Sequence, residues 1–246
     1  MSGTAARKLH RKGVDRLGDG MIGAVKRALY DGYAEWCDEN IAPFGLAATD
    51  AIRRFLGSGP GRCLDLGCGT GLHLPTLIGP GWAVTGIDVS EDQLRLARER
   101  VGDEVELVKA DATELPFPDA TFDAALSAFT HTDVEDFEGL LHEAARVLRP
   151  GARLVYVGLH PCFIGPHSRF LGAEGVPALH PGYRERRRYT EAPGISPEGL
   201  RARVGAVHIP LGELVQAFLD VGFVLERFEE LGDRQYPRII ALQAQR

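Results

Sequence analysis

At 246 residues, with 44% apolar and 25% charged residues, the chain has room for one large domain, or one domain with a substantial insert, at the composition of an ordinary globular protein. A net charge of −6 gives no general attraction for nucleic acid or an anionic membrane surface. No apolar run approaches the roughly 18 residues of a membrane span, so neither nucleic acid nor membrane is expected as a partner.

The first segment with a distinct character is basic, "RKLHRKGVDR" (Arg7 to Arg16), and reads as a solvated tail. Residues up to Gly57 look mainly helical, with Tyr30, Tyr33 and Trp36 at near-helical spacing, and a helical N-terminal cover over 1–57 is expected. From about residue 60, short apolar runs alternate with longer amphipathic ones: "RCLDLG", a helix, "WAVTGIDVS", the helix "EDQLRLARERV", "VELVKAD", and "FDAALSAF". Phe137, Leu140, Leu141, Ala144, Val147 and Leu148 then form a helical stripe, which Arg149-Pro150-Gly151 ends before the strand "ARLVYVGL". Such alternation implies an α/β fold, a parallel sheet with helices on both faces. The pattern breaks over 159–210, a proline- and histidine-rich insert expected to line a substrate pocket, before one more helix and two closing strands, "VLERFEEL" and "RIIALQA".

Cys37, Cys63, Cys68 and Cys162 form no CxxC pair and no metal-ligand spacing. Together with the lack of a signal-peptide pattern they predict a reduced, cytoplasmic protein. Asp133, Glu135 and Asp136 read as acids complementing a helix start, so no metal is expected. Length and charge leave a homodimer open.

The chemistry begins at "RCLDLGCGTGLHLP" (Arg62 to Pro75), where Gly67, Gly69 and Gly71 turn a strand into a helix. Glycines so placed let a ligand approach the backbone closely. Asp88 closes the next strand, about twenty residues on, where a carboxylate can accept from both ribose hydroxyls. Ser90 and Gln93 fit a capping box that fixes that strand end. A dinucleotide fingerprint needs G-x-G-x-x-G, whereas position 72 here is Leu. Asp65 in the loop's approach suits an ammonium better than a pyrophosphate, so the nicotinamide-dinucleotide reading loses.

"LDLGCGTG" followed in order by Asp88, "KADATELPFPDATFDAALS" and "EAARVLRPGARLVYV" resembles the class I S-adenosylmethionine-dependent methyltransferases, in particular the small-molecule group related to ubiquinone- and menaquinone-biosynthesis enzymes. The resemblance is good from about Arg62 to Val157 and looser beyond. It implies a Rossmann-like, seven-stranded, mostly parallel sheet over 58–246, with the insert after the fifth strand. It also implies S-adenosyl-L-methionine as cofactor: Gly67, Cys68, Gly69 and Gly71 beside its methionine part, Asp65 holding its amino group, Asp88 on the ribose, Val89 and Gln93 bordering the adenine, Asp111 and Ala112 flanking that ring, Ser127 near the methionine portion, and Tyr33 closing over the site.

The resemblance further implies methyl transfer to oxygen or nitrogen, or to carbon, of a small-molecule acceptor. Ser127-Ala128-Phe129-Thr130 stands where enzymes methylating planar amino groups carry Asn-Pro-Pro-Tyr-like sequences, which disfavours adenine or glutamine. A protein of this fold that binds the cofactor without methylating, as a scaffold or cyclisation catalyst, is the alternative. Removal of a proton from the acceptor needs a base, and His131, after the fourth strand, is the best-placed candidate, with His160 and His167 on the same sheet edge behind it. His73 reads as structural or as a polar neighbour of the cofactor. The arginines of "GYRERRRY" (Arg184, Arg186, Arg187, Arg188) read as a solvated face, with recognition of an acidic acceptor as the sharper alternative.

Overall fold

The computed structural model describes residues 28–171 and 175–246; the basic stretch Arg7 to Arg16 lies outside them. One sheet organises the molecule. Its strands are β1 (Arg62–Leu66), β2 (Ala83–Asp88), β3 (Glu106–Lys109), β4 (Phe122–Ala128), β5 (Leu148–Leu159), β10 (Val224–Leu231) and β11 (Ile239–Gln245), in the order β10-β11-β5-β4-β1-β2-β3. β5, β4, β1, β2 and β3 run parallel, and β11 inserts antiparallel between β5 and β10. The seven-stranded, mostly parallel sheet is therefore as expected. β1 and β4 are central and their C-terminal ends lie side by side, Leu66 opposite Ser127, which is where an open α/β sheet leaves a crevice.

The alternation of side chains along each strand divides the core into two layers. Leu64, Leu66, Leu154 and Tyr156 face α6 (Phe137–Val147) and α8 (Leu211–Asp220), meeting Phe137, Leu140, Leu141 and Phe218. Cys63, Val155 and Val157 face the other way, onto α3 (Thr49–Leu56), α4 (Leu74–Ile78) and α5 (Glu91–Val101), where Ile52, Phe55, Leu77 and Leu94 are buried. Asp136 caps α6 by accepting from the Gly139 N–H at 2.8 Å. β5 starts at Leu148, earlier than its apolar run suggests: the register steps from Phe122–Leu148 to Ala124–Arg153, so Arg149, Pro150 and Gly151 bulge within the strand and Gly151 takes φ +80°.

Ahead of the sheet, α1 (Ala34–Asn40), α2 (Ala42–Gly45) and a 3-10 turn (Leu46–Ala48) lie within the segment expected to form an N-terminal cover. α3 lies within the expected cover by sequence, but its Ile52, Phe55 and Leu56 belong to the sheet's own core. Between β5 and α8 the chain makes two antiparallel hairpins, β6 (Ser168–Leu171) with β7 (Val176–Leu179) and β8 (Arg187–Tyr189) with β9 (Ala206–His208), and the short α7 (Leu200–Val204). The insert thus follows the fifth strand, as expected.

Candidate functional site

The glycine loop leaves β1 with all three glycines in the left-handed region, φ +70° at Gly67, +55° at Gly69 and +78° at Gly71. A Cβ on Gly67 would stand 2.8 Å from Thr130 Cγ2, and one on Gly71 2.9 Å from Leu74 and 3.1 Å from the Ala97 backbone. Those two glycines are needed for packing as well as for φ. At Gly69 the nearest atom to such a Cβ is the Gln93 side-chain oxygen at 3.7 Å, so that glycine leaves space in front of the loop. Cys68 lies at the loop but turns inward: its N–H donates to Ile87 O, and it packs in the core against Gly86.

Two acids face this loop. Asp88, at the end of β2, accepts from the Gly69 N–H at 3.0 Å through one oxygen and from the Ser90 N–H at 2.8 Å through the other. Burial nevertheless pushes its carboxyl up to about 6. Asp65, 2% exposed on β1, has no hydrogen-bond partner among the described residues; burial, and then the Asp88 charge, push it up to about 7. No cation is salt-bridged to either acid among the described residues. A buried unpaired carboxylate is costly unless something cationic arrives.

Ser90 caps α5 as its sequence predicts, accepting from Gln93 N–H at 3.3 Å, but the box is not reciprocal because the Ser90 N–H is taken by Asp88. The Gln93 side-chain oxygen stands toward the glycine loop instead. Val89 is 43% exposed at the mouth of the crevice. Asp111 uses one oxygen on its own turn, accepting from the Thr113 N–H at 2.9 Å and hydroxyl at 2.8 Å, with Ala112 half-buried beside it. Ser127 is fully buried and shares a 2.6 Å hydrogen bond with the Thr130 hydroxyl. Between them Phe129 takes φ +60°, a strained conformation for an aromatic residue, against Phe44 and His73.

The cover is pinned over the crevice by charge. Asp92 accepts from Gly32 N–H at 2.9 Å, Ser90 donates to Asp31 at 2.6 Å, and Asp38 joins Thr70 of the loop to Arg100, at 2.8 and 2.6 Å. Tyr30 donates to Asp133 at 2.7 Å, and Asp133 is also salt-bridged to Arg201 of α7, so cover, crevice and insert meet at one carboxylate. Tyr33 is half-buried under Arg203, 6.0 Å away. The sequence reading missed Arg201 and the linking role of Asp133, which no local pattern marks. The arginine run is a clamp: Arg186 holds Glu138, Arg188 holds Glu135 and the carbonyl of Asp133, and Arg187 lies 3.9 Å over Tyr189.

Beyond the crevice, a cavity of about 80 Å³ is walled by His131, Ile164, Gly165, Ile195, Val207 and His208 among others. The histidines differ sharply in what their nitrogens do. His160 spends both, Nδ1 accepting from Cys162 N–H at 3.3 Å and Nε2 meeting Glu230 at 2.7 Å. His167 donates from Nε2 to Cys162 O at 3.2 Å, leaving Nδ1 buried without a partner. His208 donates from Nε2 to Tyr183 O at 2.7 Å, so its neutral ring has a bare Nδ1. Burial depresses both rings, favouring the neutral form.

His131 is 3% exposed, and burial pulls its pKa down to about 3, so it is neutral at pH 7. Its Nδ1 lies 2.6 Å from the hydroxyl of Tyr156, itself fully buried. If Nδ1 carried the proton, the tyrosine hydrogen would have no acceptor among the described residues, a loss of about 1–3 kcal/mol. Tyr156 therefore donates, and the imidazole proton sits on Nε2. His73 has both nitrogens buried and unpartnered, and its pKa falls to about 4. Among the described residues no group of three or more histidine, cysteine or acidic side chains is arranged to hold a metal ion, and no helix is long and apolar enough to cross a membrane.

Residues 64–156 match the family described as a methyltransferase domain. A stretch of 89 residues, 36% of this chain, is 44% identical to demethylmenaquinone methyltransferase from Tropheryma whipplei (strain Twist), spanning 37% of that protein's length. Among solved structures, an S-adenosylmethionine-dependent methyltransferase from Mesorhizobium loti superposes with a TM-score of 0.67 at 26% identity, covering 81% of this chain and 98% of that one. The 1,6-didemethyltoxoflavin-N1-methyltransferase of Burkholderia thailandensis, solved with its substrate and S-adenosylhomocysteine, shares the fold at 20% identity with a TM-score of 0.57, covering 94% and 92%.

Proposed function

We infer that this chain, which carries a class I S-adenosylmethionine-dependent methyltransferase domain over residues 64–156, transfers a methyl group from S-adenosylmethionine to oxygen or nitrogen of a small-molecule acceptor. The observation that carries the reading is the pair of buried, unsalted carboxylates, Asp65 and Asp88, around a glycine loop whose middle glycine opens onto free space. Such a site suits a ligand with an ammonium and a sulfonium, and repels a pyrophosphate. When bound, that cofactor supplies a methyl group already activated on sulfur.

The chain's own residues then have three tasks. The Gly67–Gly71 backbone and Asp65 hold the amino-acid end, and Asp88, kept rigid by Gly69 and Ser90, uses its remaining lone pairs on the ribose. Val89, Gln93, Asp111 and Ala112 border the base, and Ser127 with Thr130 closes the side toward the acceptor. The cover, tied down at Asp31, Asp38 and Asp92, excludes water, with Tyr33 as its inner surface. The acceptor's place is the apolar cavity beside His131. Alignment of this kind supplies about 7–11 kcal/mol of a bimolecular barrier. His160 has no free nitrogen for a proton, so the acceptor's base is sought among the other histidines. The cavity is small, and Arg201, the arginine in its lining, is already paired with Asp133, which supports a small acceptor over a macromolecule.

Thermal unfolding with S-adenosylmethionine, S-adenosylhomocysteine and NAD tests this reading in the wild type and in Asp88→Ala. At about 100 times its Kd a ligand adds about 2.7 kcal/mol. Both sulfur nucleosides are expected to raise the wild-type midpoint and to lose that effect in the variant; a response to NAD alone sinks the proposal.

A further inference from the structure

Resting on that reading, we propose that His208, from the insert, takes the acceptor's proton, while His131 acts in the same cavity as a hydrogen-bond donor. The acceptor class is then a neutral molecule that presents the hydroxyl or N–H to be methylated next to a carbonyl-type oxygen.

The assignment follows from where each ring is tied. Both residues line the cavity, and β9 packs directly on the turn carrying His131. His208 Nε2 donates to the Tyr183 carbonyl, an acceptor that has no proton to give, so the ring's one lone pair is on Nδ1. Nδ1 has no hydrogen-bond partner among the described residues, and His208 itself lines the cavity. His131 is tied from the opposite side. The Tyr156 hydroxyl occupies Nδ1, and the remaining N–H, on Nε2, is without a partner among the described residues. The two rings thus give the cavity one lone pair and one N–H, among walls that include Leu159, Ile164, Ile195 and Val207, with Thr132 and the Asp133-paired Arg201 also lining it. Gly165 keeps the wall thin there: a Cβ on it would stand 3.2 Å from His208 Nδ1 and 3.1 Å from His167 Nδ1.

The step balances without a further reagent. As the acceptor's oxygen bonds to the methyl carbon and the carbon–sulfur bond breaks, the hydroxyl proton passes to His208 Nδ1. The positive charge that leaves sulfur reappears on the imidazole, which later gives its proton to water. His131 Nε2–H meanwhile orients the neighbouring carbonyl oxygen. Tyr156 touches neither reactant; it is a positioning residue that fixes the tautomer of His131.

The test is ¹⁵N NMR of the full chain with labelled histidine, assigned with His131→Asn and His208→Asn, at pH 7 with and without saturating S-adenosylhomocysteine. Both rings are expected in the Nε2–H tautomer. 2-Hydroxyacetophenone should shift His208 Nδ1 and His131 Nε2, whereas 2-methoxyacetophenone, with no proton to give, should shift only His131. In Tyr156→Phe the single His131 tautomer should become a mixture while His208 is unchanged. A proton on His208 Nδ1, or a hydroxy probe that leaves both rings unmoved, overturns the proposal. Failure of S-adenosylhomocysteine to raise the unfolding midpoint overturns instead the cofactor reading, since the tautomers are read without it. Gly165→Ala, which keeps every imidazole, should abolish the response of His208 to the hydroxy probe; an undiminished response also counts against it.

Discussion

The crevice around the glycine loop and the cavity under the insert sit side by side at one sheet edge, yet they use opposite electrostatics. In the crevice, Asp65 and Asp88 have no salt-bridged cation among the described residues, and burial makes their ionisation harder than normal. In the cavity, the arginine at the wall, Arg201, is matched to Asp133, and burial holds His131 and His208 neutral. The difference teaches how one molecule can hold two ligands of different kinds: a charged, invariant one drawn by unbalanced carboxylates, and a neutral one selected by shape and by the direction of a few protons. Charge placed in the first region governs affinity, whereas in the second it governs how the walls stay together.

The largest way to break this comparison is Asp65→Asn. A carboxyl at about 7 in the folded chain, against its ordinary value of 3.8, means that the unfolded state loses its proton first. This group's contribution therefore falls as pH rises from about 4 to about 7, by about 4 kcal/mol at 1.36 kcal/mol per unit. Urea unfolding of the unliganded protein at pH 5 and pH 8 should show that the variant loses much of this decline and is the more stable protein at pH 8. Its affinity for S-adenosylmethionine should fall about 100-fold, about 2.7 kcal/mol. In the wild type that affinity should strengthen between about pH 5 and pH 8, with proton release on binding, as both acids ionise against the cation. A variant that binds as tightly as wild type at pH 8 would show that Asp65 does not meet the ligand's charge.

Arg201→Ala works on the other region. It strips Asp133 of its half-buried cationic partner and leaves it the hydroxyls of Tyr30 and Thr132, which should reduce stability by about 2 kcal/mol. Because Asp133 joins insert to cover, amide hydrogen exchange should quicken in residues 30–33 and 200–208 together. Affinity for S-adenosylhomocysteine should change little, by less than about threefold. If affinity collapses while the cover's exchange is unaltered, the two regions are not separable as described.

The two regions also differ in how far a sequence can be read into them. The crevice is built from residues close in sequence to a signal: three glycines whose φ leaves few other choices, an acid ending the next strand, and Ser90 at a helix start. Each is dictated by local backbone geometry, so Gly67, Gly69, Gly71 and Asp88 could be placed from spacing alone. The alternation of strands and helices along the chain followed from hydrophobic period in the same way, whereas the order of the strands across the sheet did not. Nothing local, by contrast, tells which histidine faces a cavity. His160 and His167 share a short segment, yet one is saturated by Glu230, 70 residues away, and the other turns beside His208. Tyr156 reads as one more apolar residue of β5, and Arg201 as a surface arginine of a short helix. Their roles come from partners 25 and 68 residues distant, contacts that only the folded chain creates. The arginine run misleads for the same reason, since its partners Glu135 and Glu138 look like ordinary helix-start acids.

The smallest effect probes the seam between the regions. Ser90 accepts the Gln93 N–H as the cap of α5 and donates to Asp31 in the cover, so one hydroxyl serves both a helix end and a lid contact. Ser90→Ala removes the two together and should reduce stability by about 1 kcal/mol, the ordinary cost of a lost cap. Ser90→Gly costs a cap only a few tenths of a kcal/mol, so the difference between the two variants isolates the capping contribution from the contact with Asp31. If the glycine variant is as unstable as the alanine one, the bond to Asp31 dominates and the cover is held by the serine rather than by Asp92. A double-mutant cycle of Ser90→Ala with Asp31→Ala then measures the coupling directly, with about 0.5 kcal/mol or more expected for residues in contact. Zero coupling in unfolding measurements at pH 7 would mean that the cover rests on its other anchors, at Asp92, Asp38 and the Tyr30–Asp133 bond.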